Sequence, residues 1–193
     1  MEVQLTDCLV VASAQCVWKD LETIGFTPQP TDSPPFDIMC VNDMIMHFPA
    51  KIKHGYSNDW HMLQKWKSAR RPRYAKEWRE TIQLHTCRMG VHSNIQSHKL
   101  LGTGTSSLNA LLCAIELGYT DIIGVGMPQD STPHYFDPPW VGTNFDRESK
   151  TMEDGQIKYW SNAFRKLFGG KVRLVSGRPY EWAVKNGYQD PFG

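Results

Sequence analysis

Residues 102–126 read Gly-Thr-Gly-Thr-Ser-Ser-Leu-Asn-Ala-Leu-Leu-Cys-Ala-Ile-Glu-Leu-Gly-Tyr-Thr-Asp-Ile-Ile-Gly-Val-Gly. Leu108, Leu111, Leu112 and Ile115 recur at the spacing of one face of an amphipathic helix. The Thr and Ser residues before Leu108 are of the type that caps a helix start, and Gly118 stands where a terminating glycine belongs. Asp121-Ile-Ile-Gly-Val-Gly126 then reads as a short apolar strand. Loop, helix, short turn and buried strand in that order form the repeating unit of a parallel α/β sheet.

The flanks repeat the pattern. Residues 8–13 are almost continuously apolar, as a strand buried on both faces requires. Residues 14–21 are compatible with a short helix, and the four prolines in 28–35 enforce a loop. Residues 36–41 make a second apolar run and 51–55 a third, shorter one. Asp59 is positioned to cap a helix over 59–69, whose Trp60, Leu63 and Trp66 form a narrow stripe. In 81–87, Ile82 and Leu84 fall on one face and Gln83 and His85 on the other. Ile157, Trp160, Phe164, Leu167 and Phe168 mark a late helix ended by Gly169-Gly170. Residues 171–175 make a last strand, with a further helical turn near 179–184. The expected fold is a single Rossmann-like α/β domain over 1–193, with a mostly parallel sheet, helices on both faces, and a long loop or lid at 127–156.

The totals narrow the function classes. Of 193 residues, 40% are hydrophobic and 21% charged, so an ordered core is expected. With 21 Lys+Arg against 20 Asp+Glu, no excess positive charge points to nucleic acid or a membrane surface. No apolar stretch reaches the roughly 20 residues needed to span a bilayer, and no secretory signal is legible. Cys8, Cys16, Cys40, Cys87 and Cys113 are odd in number and lie in apolar runs. They read as free thiols in a reducing, cytoplasmic setting. The seven His are scattered and none sits at ligand spacing from a Cys. His85, His92 and His98 are able to approach one another, but their spacing matches no known ligand pattern, and a structural or surface role is the plainer reading. Arg70, Arg71, Arg73 and Arg79, interleaved with Trp66, Tyr74 and Trp78, read either as a base- or phosphate-binding segment or as a solvated helix face. No feature specifies an oligomeric state, and an oligomer is allowed.

In parallel sheets ligands bind beyond the carboxyl ends of the strands. That rule gathers residues 13–15, Asn42-Asp43, the turn at Gly102 and the loop after Gly126 at one edge. Gly102, Thr103, Gly104, Thr105, Ser106 and Ser107 combine permissive backbone, hydroxyl donors and the positive end of a helix, which together favour an anion such as phosphate. A helix cap alone is the plainer reading. The segment lacks the Gly-Lys-Ser/Thr of a Walker A loop. Asn42 and Asp43 end a strand where they can meet ribose or base, or simply close an Asx turn. In the 127–156 loop, His134, Tyr135 and Asp130 are candidates for proton transfer. Asp130 and Asp137 are candidates to hold a divalent ion such as Mg2+.

The order of these motifs resembles that of the bacterial sialyltransferases of glycosyltransferase family 42. The carrying stretch is 104–126, similar to their Thr-Ser-Gly … Ala … Ala-x-x-Leu-Gly-Tyr-x-x-Ile-x-x-x-Gly pattern. It is followed by His134-Tyr-Phe-Asp137, similar to their Tyr-x-Phe-Asp. The stretch is similar also to the flagellin-modifying Maf proteins and the archaeal 6-hydroxymethylpterin diphosphokinases. Small phage proteins of the norphogenetic type share the outline, including a closing Ser176-Gly177-Arg178. The resemblance implies a Rossmann-like fold and a nucleotide or nucleotide-sugar ligand. It implies contacts to that ligand from Thr105, Ser106 and Ser107, with Asn42 opposite them. It also implies that Tyr135 steadies a leaving phosphate. Three departures stand beside it. The family's first loop, Gly-Asn-Gly-Pro-Ser, is Ala12-Ser-Ala-Gln-Cys16 here. Met127-Pro128 follows Gly126 where an acid is usual. No His occurs after Tyr135, where the sialyltransferases carry their base. The expected activity is transfer of a glycosyl or diphosphate group from a nucleotide donor. The alternatives are a phage accessory protein that binds or sequesters a nucleotide, or an interaction protein with a vestigial site.

Overall fold

All four residues of β1 (Cys8–Val11) are buried, because both faces of this strand are covered. It lies in the interior of the sheet, flanked by β2 (Asp37–Val41) and β6 (Ile122–Val125), with Leu9 opposite Ile38 and Ile123. Beyond β2 follow β3 (His54–Tyr56), β4 (Gln83–Thr86) and β5 (Ile95–Ser97), and beyond β6 lies β7 (Val172–Leu174). The order is β5-β4-β3-β2-β1-β6-β7, and every one of these pairings is parallel. The computed structural model describes residues 6–30, 34–70, 79–89, 91–99, 104–129 and 149–190, with side chains from 155 onward in the last segment.

Alternate residues of each inner strand feed two separate cores. Leu9, Val11, Ile38 and Cys40 pack with Val17 and Leu21 of α1 (Val17–Thr23). The same core takes Met44 and Ile45 of α2 (Met44–His47) and Leu63 of α3 (Trp60–Ala69). Cys8, Val10, Met39 and Val41 face the other way. They meet Leu108, Leu111 and Leu112 of α4 (Ser106–Glu116), Trp160 of α5 (Ser149–Ala163) and Ala183 of α6 (Gly177–Lys185). Helices therefore cover both faces of one sheet, which is a single Rossmann-like α/β domain. No helix among the described residues is long and apolar enough to cross a membrane.

Several boundaries differ from the sequence expectation for physical reasons. α2 and β5 have four and three residues, too few for a periodicity to register. β3 starts at His54 rather than at 51, since only residues 54–56 pair with β2. α5 begins at Ser149, inside the segment read as a loop at 127–156. Its polar first turns carry no apolar stripe, so periodicity found only the later part. The helix then widens into a π-helical stretch over Phe164–Phe168 and stops at Gly169 in the left-handed conformation. All five cysteines are free. Cys8, Cys40 and Cys113 are buried and Cys16 and Cys87 half-buried.

Candidate functional site

The chain runs outward from β1 to β5 with α1, α2 and α3 on one face. It then returns through α4 on the other face to β6, beside β1. The gap beyond the carboxyl ends of β1 and β6 is thus the point where the winding reverses, and ligands of open α/β sheets bind at such a point. A cavity of about 170 Å³ opens there. Ser13 lines it from the exit of β1, Asn42 from β2, Thr105 and Ser107 from the start of α4, and Gly126 and Gln129 from the exit of β6. Among the described residues its walls carry hydroxyl, amide and backbone groups and no charged side chain.

The start of α4 is built by local bonds. Thr105 is its N-cap, with extended backbone, and its Oγ1 accepts the Leu108 N–H at 3.2 Å. Gly104 precedes it at φ +110°, which a side chain would strain. Asn58, just after β3, ties this start to the sheet. Its backbone N–H donates to Ser106 Oγ at 3.3 Å and its Nδ2 to the Gly104 carbonyl at 3.3 Å. Its Oδ1 accepts from Asn109 Nδ2 at 3.1 Å, which gives a partner to the amide NH2 of an Asn buried within the apolar face of the helix. Ser106 therefore turns to the sheet, whereas Thr105 and Ser107 border the cavity.

Asn42 holds a left-handed backbone, φ 54°, at the end of β2. Its Oδ1 accepts from Ser57 Oγ at 2.7 Å, so the amide NH2 is the group it can offer a ligand. Asp43 is not among the residues lining the cavity and occupies the N-cap position of α2. Gly126 is required by its surroundings. At φ +70° a Cβ would meet the Ala12 carbonyl oxygen and lie 3.0 Å from Val17 Cβ. Its N–H donates to Asp20 Oδ2 at 2.9 Å. Asp20, only 3% exposed, sits directly under the site. Burial pushes its carboxyl pKa up, and the Gly126 bond offsets part of that.

Of the residues singled out from sequence, the structure brings Asn42, Thr105, Ser107 and Gly126 to one cavity, with Gly104 just behind. Gly102, Thr103, Asp130, His134, Tyr135 and Asp137 lie outside the described residues, as do Arg71, Arg73, Tyr74 and Trp78. Sequence reading missed Asp20, Asn58 and Asn109. The one signal for Asn109 was a polar residue interrupting an apolar helix face; Asp20 looked like any exposed helix acid.

A second polar assembly lies on the α4 side of the sheet. Tyr119 Oη donates to Asp37 Oδ2 at 2.6 Å and meets His54 Nε2 at 2.8 Å. His54 Nδ1 meets His85 Nε2 at 2.9 Å, and His85 Nδ1 meets His98 Nε2 at 2.9 Å. His98 Nδ1 then faces Glu116 Oε2 at 3.3 Å. Burial drives the pKa of His54 down to about 4 and that of His85 down to about 3, so both are neutral at pH 7. Burial, outweighed by hydrogen bonds from Lys53 and Tyr119, leaves Asp37 below the usual carboxylate range. His85 and His98 thus do approach one another, whereas His92 packs elsewhere, against the Trp60 ring at 5.7 Å.

Comparison of the chain with protein-family models, with curated proteins and with solved structures found no match.

Proposed function

We propose that the protein binds a nucleotide or nucleotide-activated donor at the winding reversal between β1 and β6, and transfers a glycosyl or diphosphate group from it. The observation that carries this reading is the meeting of Asn42, Thr105, Ser107 and Gly126 around one cavity. Phosphate is the group best suited to the start of α4. The helix dipole and the unshared N–H groups of its first turn favour an anion, and Ser107 adds a hydroxyl. The cavity, about 170 Å³, is smaller than the roughly 300–1,000 Å³ of common small-ligand pockets. Its described walls suit part of a nucleotide, such as one phosphate with its sugar. In the transfer step Tyr135 or His134 protonates or steadies the leaving group, and Asp130 or Asp137 binds Mg2+ or acts as base.

A second reading, binding without turnover, is favoured by the character of the described walls. Hydroxyl and amide groups can hold a phosphate, but none is a strong acid or base at neutral pH.

A thermal-shift screen tests the shared premise, using nucleoside mono-, di- and triphosphates and nucleotide sugars with and without Mg2+. A ligand at 100 times its Kd stabilises by about 2.7 kcal/mol. A flat screen on folded protein removes both readings and leaves an interaction protein. With a hit in hand, Ser107→Ala is expected to weaken binding by about 1–3 kcal/mol, the loss of a hydrogen bond to a charged acceptor. Tyr135→Phe separates the two readings. Transfer predicts slower turnover with little change in affinity, and an unchanged rate takes Tyr135 out of the mechanism.

A further inference from the structure

We infer that His85, His98 and Cys113 form a binding site for a divalent ion of the zinc class, within the core between α4 and β4–β5 and apart from the nucleotide cavity. One ligand atom from each lies within 4.8 Å of the other two, and all three residues are buried. They come from β4, from the residue after β5, and from the middle of α4, so no short sequence spacing marks them. Two imidazole nitrogens and one sulfur are the donor set of a borderline-soft, tetrahedral ion.

The hydrogen bonds around the cluster supply the correct lone pairs. Asp37 can only accept, so Tyr119 donates to it and must accept from His54 Nε2–H. Neutral His54 then has its lone pair on Nδ1 and accepts from His85 Nε2–H. His85 Nδ1 is therefore a lone pair, aimed at His98 Nε2. Without an ion, His98 fills that gap with an N–H. With an ion, its proton is held on Nδ1 instead, where Glu116 Oε2 waits at 3.3 Å. His54 and Glu116 then serve as the outer partners that orient metal-bound imidazoles. To hold one ion the facing nitrogens open from 2.9 Å to about 3.3 Å, and the three ligand atoms, now within 4.8 Å of one another, draw in until the sulfur stands about 3.5 Å from each nitrogen, the spans set by roughly 2.0 Å and 2.3 Å bonds at a tetrahedral angle.

With His98 neutral before the ion enters, the proton balance is as follows; an imidazolium paired with Glu116 releases one proton more. Two metal–nitrogen bonds and one metal–sulfur bond form. The Cys113 S–H bond breaks and its proton goes to solvent. At His98 one proton leaves Nε2 and one is taken up at Nδ1. Each ion bound therefore releases one proton, and the ion, one thiolate and Glu116 sum to zero charge.

Chelator-treated, reduced full-length protein is titrated with Co2+. The expected result is a near-ultraviolet thiolate-to-cobalt charge-transfer band and visible bands of tetrahedral intensity. The bands saturate at one equivalent, grow in step with proton release, and are bleached by one equivalent of Zn2+. Cys113→Ser is expected to remove the charge-transfer band. Glu116→Gln, at a half-exposed position, is expected to weaken binding about 10–100-fold. His92→Gln leaves it unchanged. The proposal is overturned if folded wild-type protein with excess Co2+ shows no charge-transfer band. It is equally overturned if the band persists in Cys113→Ser, which would assign it to another cysteine. Should Cys113→Ser not fold, the comparison of Glu116→Gln with His92→Gln decides, and equal affinities overturn the site.

Discussion

Thr105 borders the cavity, yet its hydroxyl oxygen already accepts from Leu108 N–H. Replacing it by Ala is expected to cost about 1 kcal/mol of stability, the usual effect of losing an N-cap. Thr105→Ser should restore most of it, with both read from urea unfolding. A neutral Thr105→Ala would mean that the helix start is held by Asn58 alone. Asp20 gives a residue-scale dependence on pH. Burial holds its folded pKa above the ordinary carboxyl value of 3.8, so its contribution to stability is fullest below pH 3.8 and is lost as pH rises through the folded pKa. Asp20→Asn does not titrate and can still accept the Gly126 N–H. The stability of the variant relative to wild type is therefore expected to increase as pH rises from 3.8 toward 7. Urea titrations along that range check it, and a relative loss with rising pH contradicts it. Neither the role of Asp20 nor that of Asn58 was legible in the sequence. A buried acid and an exposed one look alike until the packing around them is known.

At the scale of elements, α4 was the most legible part of the chain, because eleven residues provide three turns of apolar repeat. The strand runs at 8–13 and 36–41 were legible for a related reason: strands buried on both faces are apolar without alternation. β5 and α2 were not, since three or four residues form neither a repeat nor a run. The exit of β6 depends on Gly126, where backbone strain and a clash with Ala12 act together. Gly126→Ala is expected to destabilise by about 3 kcal/mol, from the left-handed backbone and overpacking. An unfolding midpoint close to wild type would show that the β1 and β6 exits can separate. Gly177 is a parallel case at the start of α6: at φ +86°, a Cβ would meet the Pro128 backbone. The Ser-Gly-Arg motif noted in the sequence thus has a packing role. It brings the Arg178 N–H to the Pro128 carbonyl at 3.0 Å, beside the cavity.

For the whole molecule, the sheet order predicts a gradient of local stability. β1 is bonded on both sides and buried on both faces, whereas β5 is a three-residue edge strand. Hydrogen exchange should be slowest in β1, β2 and β6 and fastest among the strands in β5. Equal protection in β5 and β1 would contradict this order. The sequence alone determined the α/β class, the start and face of α4, the inner strands, and which loops fall at the carboxyl edge. Each of these is a periodicity or turn preference contained in a few adjacent residues. Only the tertiary structure decided that β6 returns to lie against β1, so that residues 13, 42, 105 and 126 share one cavity. It alone buried His54, His85 and His98 in a row beneath α4 and brought Cys113 to them. Strand order and burial depend on contacts between residues far apart in the chain, and no local pattern encodes which distant partner covers a given side chain.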